Sequence, residues 1–166
     1  MITLVLGGAR SGKSAVAERL VARHLAPVTY VATMVVGESR ELGLRVAAHR
    51  ARRPPEWSTV ESGTGLAPLL GTLTGAALVD SLGPWLAAHP DFAVDSEELC
   101  ASLVARQGDT VLVSDEVGLS VHPSAESGRR FRDAMGSLNQ AVASVADEVV
   151  LVVAGRVLPL KPVEDH

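Results

Sequence analysis

Short apolar runs recur along the chain and are separated by stretches with helical periodicity. The runs are Ile2–Leu6, Val28–Ala32, Ala76–Asp80, Val111–Ser114 and Val149–Val153. Because they are apolar throughout rather than alternating, they are typical of parallel strands that are buried on both faces. Helices are predicted between them at Ser14–His24, about Ser39–Arg52, about Ser96–Arg106 and about Gly128–Ala146. Strands that alternate with helices in this way predict an α/β fold with a doubly wound, mostly parallel sheet.

The remaining segments are predicted as loops. They are Arg53–Pro55, the Gly- and Thr-rich stretch Ser62–Gly75, and Leu82–Asp95. None is long enough to link two domains, so we expect one domain over residues 1–166. Leu158–His166 contains two prolines and ends in charged residues, which predicts an extended tail on the surface.

A glycine-rich octapeptide follows the first apolar run directly. Gly7–Ser14 fits the phosphate-binding P-loop pattern G-x-x-x-x-G-K-[ST], and a chance glycine turn is the alternative. Backbone N–H groups can approach phosphate oxygens there, and the next helix points its N-terminus at the same anion. Lys13 is the expected catalytic cation on the β- and γ-phosphates, while the Ser14 hydroxyl can ligate Mg²⁺. The pattern predicts a P-loop NTPase-like domain that binds a nucleoside triphosphate through Gly7, Gly8, Ala9, Arg10, Ser11, Gly12, Lys13 and Ser14.

Acidic residues at the ends of later strands are candidate metal ligands. Asp80 ends an apolar strand, which is the pattern of a Walker B carboxylate that holds Mg²⁺ directly or through water. The alternative for Asp80 is an N-cap of a following helix. Glu116, which follows the run Val111–Ser114, is a rival or partner metal ligand. Asp115 is left open between a metal role, a cap and a solvent-facing side chain.

His49 is the histidine that the pattern favours for catalysis. It follows Arg45 by four residues on a predicted helix, so the two side chains share one face, and Arg50, Arg52 and Arg53 come next. Nearby positive charge disfavours the imidazolium and leaves a ring nitrogen that can attack phosphorus to form a phosphoramidate. A surface histidine among solvated arginines is the alternative, and the residues alone leave both interpretations open.

Composition argues against several function classes. The net charge of −4 gives no sign of a general nucleic-acid binder. Cys100 is the only cysteine, so no intrachain disulfide is possible and a reducing, cytoplasmic location is expected. The apolar stretches are too short to span a bilayer, and no signal peptide is recognisable.

Several blocks of sequence, in order and at plausible spacing, point to one family. They are Leu4–Ser14; Tyr30–Thr33 with Arg45–Arg50, Arg53-Pro54 and Trp57–Glu61; Val79–Leu82 with Trp85-Leu86; and Leu112–Gly118 with Pro123, Arg130–Asp133, Gly136, Leu138–Gln140, Ala146–Val149 and Leu151–Gly155. In these blocks the chain resembles the bifunctional adenosylcobinamide kinase and adenosylcobinamide-phosphate guanylyltransferase of cobalamin biosynthesis. The octapeptide Gly-Gly-Ala-Arg-Ser-Gly-Lys-Ser is much narrower than a generic P-loop, which makes the resemblance specific.

The resemblance implies two reactions on a corrinoid substrate. ATP or GTP phosphorylates the aminopropanol hydroxyl of adenosylcobinamide, and GMP is then transferred from GTP to that phosphate, giving adenosyl-GDP-cobinamide and pyrophosphate. The transfer passes through a covalent GMP–histidine in this family, and His49 matches that histidine in the motif Arg-x-x-x-His-Arg. A homotrimer with sites near the subunit boundaries is also implied.

The same resemblance implies further site residues. The nucleotide is expected beside Ala32, Thr33, Met34, Glu61 and Asp80, with Arg50, Arg52 and Arg53 offsetting phosphate charge.

The chain departs from the family pattern at a few positions. Ser39 replaces an aspartate, Gly83-Pro84 interrupts the Leu82–Trp85 block, and Asp115 stands where members often carry asparagine. Two other functions are weighed against the family interpretation. A single-activity P-loop kinase of a small alcohol or nucleotide needs no nucleophilic histidine. A GTP-binding switch protein usually carries an Asn/Thr-Lys-x-Asp motif, which this sequence lacks.

Overall fold

The computed structural model describes residues 1–23, 27–34 and 54–162. The strands are β1 (Ile2–Gly7), β2 (Val28–Ala32), β3 (Ser58–Glu61), β4 (Ala76–Asp80), β5 (Thr110–Asp115), β6 (Glu148–Val153) and β7 (Arg156–Leu160). The helices are α1 (Lys13–Val21), α2 (Leu66–Thr72), α3 (Leu82–Ala87), α4 (Ser96–Ala105) and α5 (Glu126–Val145), with a 3₁₀ turn at Pro90–Phe92.

The seven strands of the described residues form one sheet in the order β3-β2-β4-β5-β1-β6-β7. The pairings from β3 to β6 are parallel, and only β7 runs antiparallel, beside β6. The predicted α/β, doubly wound and mostly parallel sheet is therefore confirmed. Because the carboxyl ends of parallel strands meet at one edge, the loops after β1, β2, β4 and β5 converge there.

Helices cover both faces of the sheet, as doubly wound folds require. On one face, residues of α2, α3, α4 and α5 pack against alternate strand residues such as Leu4 and Leu112. On the other face, α1 packs its buried Val16, Ala17 and Val21 against Val5 and neighbouring strand residues. Burial on both faces explains why the central strands are continuously apolar.

Two segments predicted as loops contain helices. α2 lies within the predicted loop Ser62–Gly75, and α3 begins the predicted loop Leu82–Asp95. Gly71 and Gly83 lower intrinsic helix propensity, which made these segments look like loops. Tertiary burial of leucines four residues apart stabilises both helices: Leu66 and Leu70 in α2, and Leu82 and Leu86 in α3.

The sheet also has an edge strand at each end that the apolar pattern did not predict. β3 (Ser-Thr-Val-Glu) is short and mostly exposed and carries no apolar run, whereas β7 (Arg-Val-Leu-Pro-Leu) is apolar but exposed throughout and is interrupted by Pro159. β7 takes up the first residues of the predicted tail Leu158–His166, because Leu158–Leu160 pair with Val149–Leu151 of β6. The predicted helix at Ser39–Arg52 lies outside the described residues. Among the helices that the structure describes, none is both long enough and apolar enough to cross a membrane.

Candidate nucleotide site

The P-loop turns sharply between β1 and α1. Arg10 and Gly12 have positive φ angles of 57° and 92°. A Cβ added to Gly7 would lie 2.9 Å from the Val152 carbonyl oxygen and would overlap the Ser11 hydroxyl, so only glycine fits there. The backbone therefore adopts the tight loop that the glycine pattern predicted, directly before the N-terminus of α1.

The β6–β7 hairpin braces this loop. Ala154 and Gly155 form its turn with φ angles of 50° and 72°. The Gly155 N–H donates a 2.8 Å hydrogen bond to the Ser11 carbonyl. In addition, a Cβ on Gly12 would lie 3.3 Å from the Gly155 Cα, so the turn and the P-loop are in close contact. The antiparallel edge hairpin thus helps to fix the backbone of the phosphate loop.

Lys13 begins α1 and points its ammonium into the loop. Its Nζ lies 2.9 Å from Asp115 Oδ1 and donates a 3.2 Å hydrogen bond to the Gly8 carbonyl. The side chains of Lys13 and Asp115 are 13% and 28% exposed, so the pair is largely shielded but open to the pocket. Asp115 is therefore the counter-ion of the P-loop lysine, a role that the sequence analysis did not identify.

Asp80 stands beside Ser14, as expected for a metal-binding pair. The Ser14 hydroxyl donates to Asp80 Oδ1 at 3.2 Å, and the buried Tyr30 hydroxyl donates to Asp80 Oδ2 at 2.6 Å. The hydrogen bond from Tyr30 fixes the orientation of the carboxylate at the end of β4. A hydroxyl and a carboxylate oxygen at this edge form the kind of oxygen-rich ligand set that Mg²⁺ prefers.

Residues after β2 and β3 lie at the same level of the sheet edge. Ala32 is in register with Asp80 on one side and with Glu61 on the other. Thr33 is buried, and its hydroxyl donates to the Ser81 carbonyl at 2.6 Å and accepts from the Ser81 N–H at 3.0 Å. Thr33 therefore ties the loop after β2 to the loop after β4. Of the other residues predicted near the nucleotide, Glu61 is exposed and Met34 is partly buried.

A cavity of about 440 Å³ opens between these loops. It is lined by Arg10, Ser11, Gly12, Lys13, Ser14, Ala15, Asp80, Ser81, Pro84 and Asp115. Most of the predicted P-loop residues thus face one pocket, together with the predicted metal ligand of β4. The pocket combines a loop backbone, a lysine and carboxylates, which is the chemistry of a metal-assisted polyphosphate site.

Glu116 does not line this pocket. Its Oε1 accepts hydrogen bonds from the N–H groups of Gly118 at 2.6 Å and Leu119 at 3.2 Å. It borders a different cavity, of about 830 Å³, which lies beside α5, β6 and β7. Successive residues of a strand point to opposite sides of the sheet. Asp115 points to one side and reaches Lys13. Ser114 and Glu116 point to the other side, towards α5, where Ser114 is hydrogen-bonded to Asn139. The expected metal role of Glu116 is therefore unsupported by this geometry.

The predicted nucleophile and its arginines lie outside the described residues. His49, Arg50, Arg52 and Arg53 belong to the segment 35–53. Within the described ranges, no group of three or more His, Cys, Asp or Glu side chains is arranged to hold a metal ion.

Comparison with protein families shows which family the chain is related to. Residues 3–160 match the family model described as cobinamide kinase / cobinamide phosphate guanyltransferase. The chain belongs to this family. It is 43% identical over 170 residues to the bifunctional adenosylcobalamin biosynthesis protein CobP of Pseudomonas aeruginosa, a match that covers 97% of this chain and 98% of the relative. The resemblance inferred from the sequence blocks is confirmed.

Enterobacterial relatives match over nearly their full length as well. The bifunctional adenosylcobalamin biosynthesis proteins CobU of Salmonella typhimurium and Escherichia coli are 37% and 34% identical to this chain, with 93% of this chain and 97% of each relative covered. As a member of the cobinamide kinase / cobinamide phosphate guanyltransferase family, the chain is an enzyme.

Solved structures of distant proteins show the same fold. The flagellar accessory protein FlaH from Methanocaldococcus jannaschii gives a TM-score of 0.55 at 13% identity, covering 94% of this chain and 74% of that one. An ATPase from the type III secretion system of pathogenic bacteria gives a TM-score of 0.55 at 14% identity, covering 90% of this chain and 50% of that one. At these identities the likeness establishes the fold alone.

Proposed function

We propose that this chain catalyses both reactions of its family, and that the pocket at the carboxyl ends of β1, β4 and β5 holds the triphosphate. In the kinase reaction, the aminopropanol hydroxyl of adenosylcobinamide attacks the γ-phosphorus of ATP or GTP, and the nucleoside diphosphate leaves. In the guanylyltransferase reaction, the new phosphate receives GMP from GTP, and pyrophosphate is the second product. The observation that carries the proposal is the convergence of Lys13, Ser14 and Asp80 on one pocket.

The P-loop binds and orients the phosphates. Backbone N–H groups of Gly8–Ser14 and the N-terminus of α1 point positive dipoles at phosphate oxygens. Lys13 places its ammonium on the β- and γ-phosphates and offsets the charge that builds up as the γ-phosphoryl group is transferred. Both roles depend on positioning, which the β6–β7 turn supports through the Gly155 hydrogen bond to Ser11.

Ser14 and Asp80 would hold Mg²⁺ with the nucleotide. Their oxygens lie 3.2 Å apart at the rim of the pocket, and Tyr30 orients the carboxylate from below. When bound, the cation neutralises phosphate charge and fixes the phosphate chain. Asp115 Oδ1 is directed to Lys13, so we assign the cation to Ser14 and Asp80.

His49 would act as the nucleophile of the second reaction. Its ring nitrogen attacks the α-phosphorus of GTP, a P–N bond forms, and pyrophosphate leaves. A phosphate oxygen of the phosphorylated corrinoid then attacks the same phosphorus and releases His49. Arg50, Arg52 and Arg53, together with Arg45 four residues before His49 in the sequence, would offset the charge of the transferring phosphate. The support for this role is the motif Arg-x-x-x-His-Arg in a chain of this family.

A labelling experiment tests the nucleophile. Purified protein is incubated with α-³²P-labelled GTP and Mg²⁺, denatured, and challenged with acid and with base. We expect an acid-labile, base-stable label that is absent in His49→Ala. His122→Ala serves as the matched control, because His122 is exposed and lies outside the pocket; it should keep the label. If the wild type binds GTP but takes up no label, the chain would be a kinase without guanylyltransferase activity.

Assembly and location are the remaining parts of the proposal. We infer a homotrimer with corrinoid and nucleotide sites near the subunit boundaries, and a cytoplasmic location. Family membership supports the trimer, and the single cysteine in the sequence supports the reducing, cytoplasmic location. Size-exclusion chromatography with light scattering tests the trimer.

A further inference from the structure

The P-loop lysine is already paired with a carboxylate inside the phosphate pocket. Lys13 Nζ lies 2.9 Å from Asp115 Oδ1, and both side chains line the same cavity. An ammonium has three N–H donors. Asp115 and the Gly8 carbonyl each accept one of them, so a phosphate oxygen can be added without breaking the ion pair. Asp115 therefore stays beside the phosphates when a nucleotide binds.

Four charged side chains of the described residues line the pocket. Arg10 and Lys13 are positive, and Asp80 and Asp115 are negative. Arg10 is an exposed residue, so its charge is screened by solvent more strongly than that of Lys13. A polyphosphate that enters without a cation meets the Asp115 carboxylate beside a lysine whose charge that carboxylate already offsets.

We propose that Asp115 is a built-in counter-ion of Lys13 that makes nucleotide binding by this chain depend on a divalent cation. This inference rests on the proposed function, because it assumes that the pocket holds the triphosphate. Without the cation, the Asp115 carboxylate repels the phosphates at short range. With the cation, the net negative charge of the nucleotide falls, so its repulsion by the Asp115 carboxylate is weaker. Asp115 thus positions the Lys13 ammonium and makes the pocket select the cation-bound nucleotide over the free one.

The geometry separates this role from metal ligation. Asp80 Oδ1 accepts from Ser14, which is the hydroxyl that the P-loop pattern assigns to the metal. Asp115 Oδ1 is directed to Lys13 instead. If Asp115 held the cation, its neutral isostere would weaken binding in the presence of Mg²⁺. If it is a counter-ion, the same substitution strengthens binding in the absence of Mg²⁺.

The test measures the dissociation constant of GTP by isothermal titration calorimetry, once with Mg²⁺ and once with EDTA. The wild type, Asp115→Asn and Glu116→Gln are compared. Glu116 is the matched control, since it is the neighbouring carboxylate but lies outside the pocket. We expect Asp115→Asn to bind GTP in EDTA about tenfold more tightly than the wild type, with a change of less than about threefold in Mg²⁺. Glu116→Gln should match the wild type under both conditions.

The other outcomes are distinguishable. An unchanged or weaker affinity of Asp115→Asn in EDTA would overturn the counter-ion role, while the proposed function would stand if the wild type binds GTP with Mg²⁺. Weaker binding of Asp115→Asn in Mg²⁺ alone would assign Asp115 to the metal and also overturn the inference. If neither the wild type nor Asp115→Asn binds GTP with Mg²⁺, the proposed function fails, and the inference that rests on it fails too.

Discussion

Gly83 lies directly against the carboxylate of Asp115. A Cβ built on Gly83 would be 3.1 Å from Asp115 Cγ and would overlap Oδ2. Gly83 is buried in α3, where glycine is otherwise a poor helix former, so the close approach of the carboxylate explains its presence. Two positions that the sequence analysis expects to depart from the family pattern are therefore in contact.

This contact predicts an energetic coupling between the two positions. Gly83→Ala should destabilise the wild type by about 1–3 kcal/mol, because the added methyl group forces the carboxylate away. In an Asp115→Ala background the new methyl group would lie 3.7 Å from the Asp115 Cβ position, which is ordinary contact. There Gly83→Ala should be neutral or stabilise by up to about 1 kcal/mol through helix propensity. Urea unfolding of the four proteins measures the coupling, and equal costs in both backgrounds would disprove it.

Tyr30 is expected to tune the metal site through Asp80. Tyr30→Phe removes the donor to Asp80 Oδ2 and leaves the ring packed in the core. The free energy of unfolding should fall by about 1 kcal/mol. The Mg²⁺ concentration for half-maximal kinase activity should rise several-fold, because the carboxylate loses its fixed orientation. A loss of stability without any change in Mg²⁺ dependence would show that the hydroxyl serves the fold alone.

Cys100 lies where α4 packs on α5, and the ionisation of its thiol is expected to make the stability of the protein depend on pH. Burial raises the pKa of its thiol, whose Sγ lies 3.4 Å from the Ala141 carbonyl oxygen. The folded state therefore keeps the proton to higher pH than the unfolded chain. Its contribution to stability is full below the unfolded pKa and is lost as pH rises through the folded pKa. Disulfide-exchange reagents should label the native protein more slowly than the urea-unfolded protein near pH 8.5, and equal rates would contradict this.

Continuous apolar runs predicted the central strands well, because strands of a parallel sheet that is buried on both faces need apolar side chains at every position. The edge strand β3 was missed because it is short and mostly polar, and β7 was missed because Pro159, which lacks a backbone N–H, makes its segment atypical of a strand. α2 and α3 were missed because glycine dominated the local pattern. The spacing of Leu66 to Leu70 and of Leu82 to Leu86 was the signal that could have found them.

Only part of the candidate site could be predicted from the sequence, and the reasons are related. The P-loop depends on local backbone chemistry, so its sequence is sufficient to place Lys13 and Ser14. The choice between Asp115 and Glu116 depends on which side of β5 each residue faces. Alternation along the strand carries that information, because Val111 and Val113 share the side of Asp115 and pack on the α1 face. The contact of Gly83 with Asp115 joins distant parts of the chain, and no local pattern encodes it.

The most direct test measures both reactions on one preparation. Phosphate transfer from γ-labelled ATP to adenosylcobinamide and GMP transfer from α-labelled GTP to adenosylcobinamide phosphate are assayed for the wild type, Lys13→Ala and His49→Ala. We predict that Lys13→Ala loses both activities. His49→Ala should keep the kinase rate within about threefold while guanylyl transfer falls by about 10³-fold or more. Loss of both activities in His49→Ala, or guanylyl transfer that survives the substitution, would contradict the account.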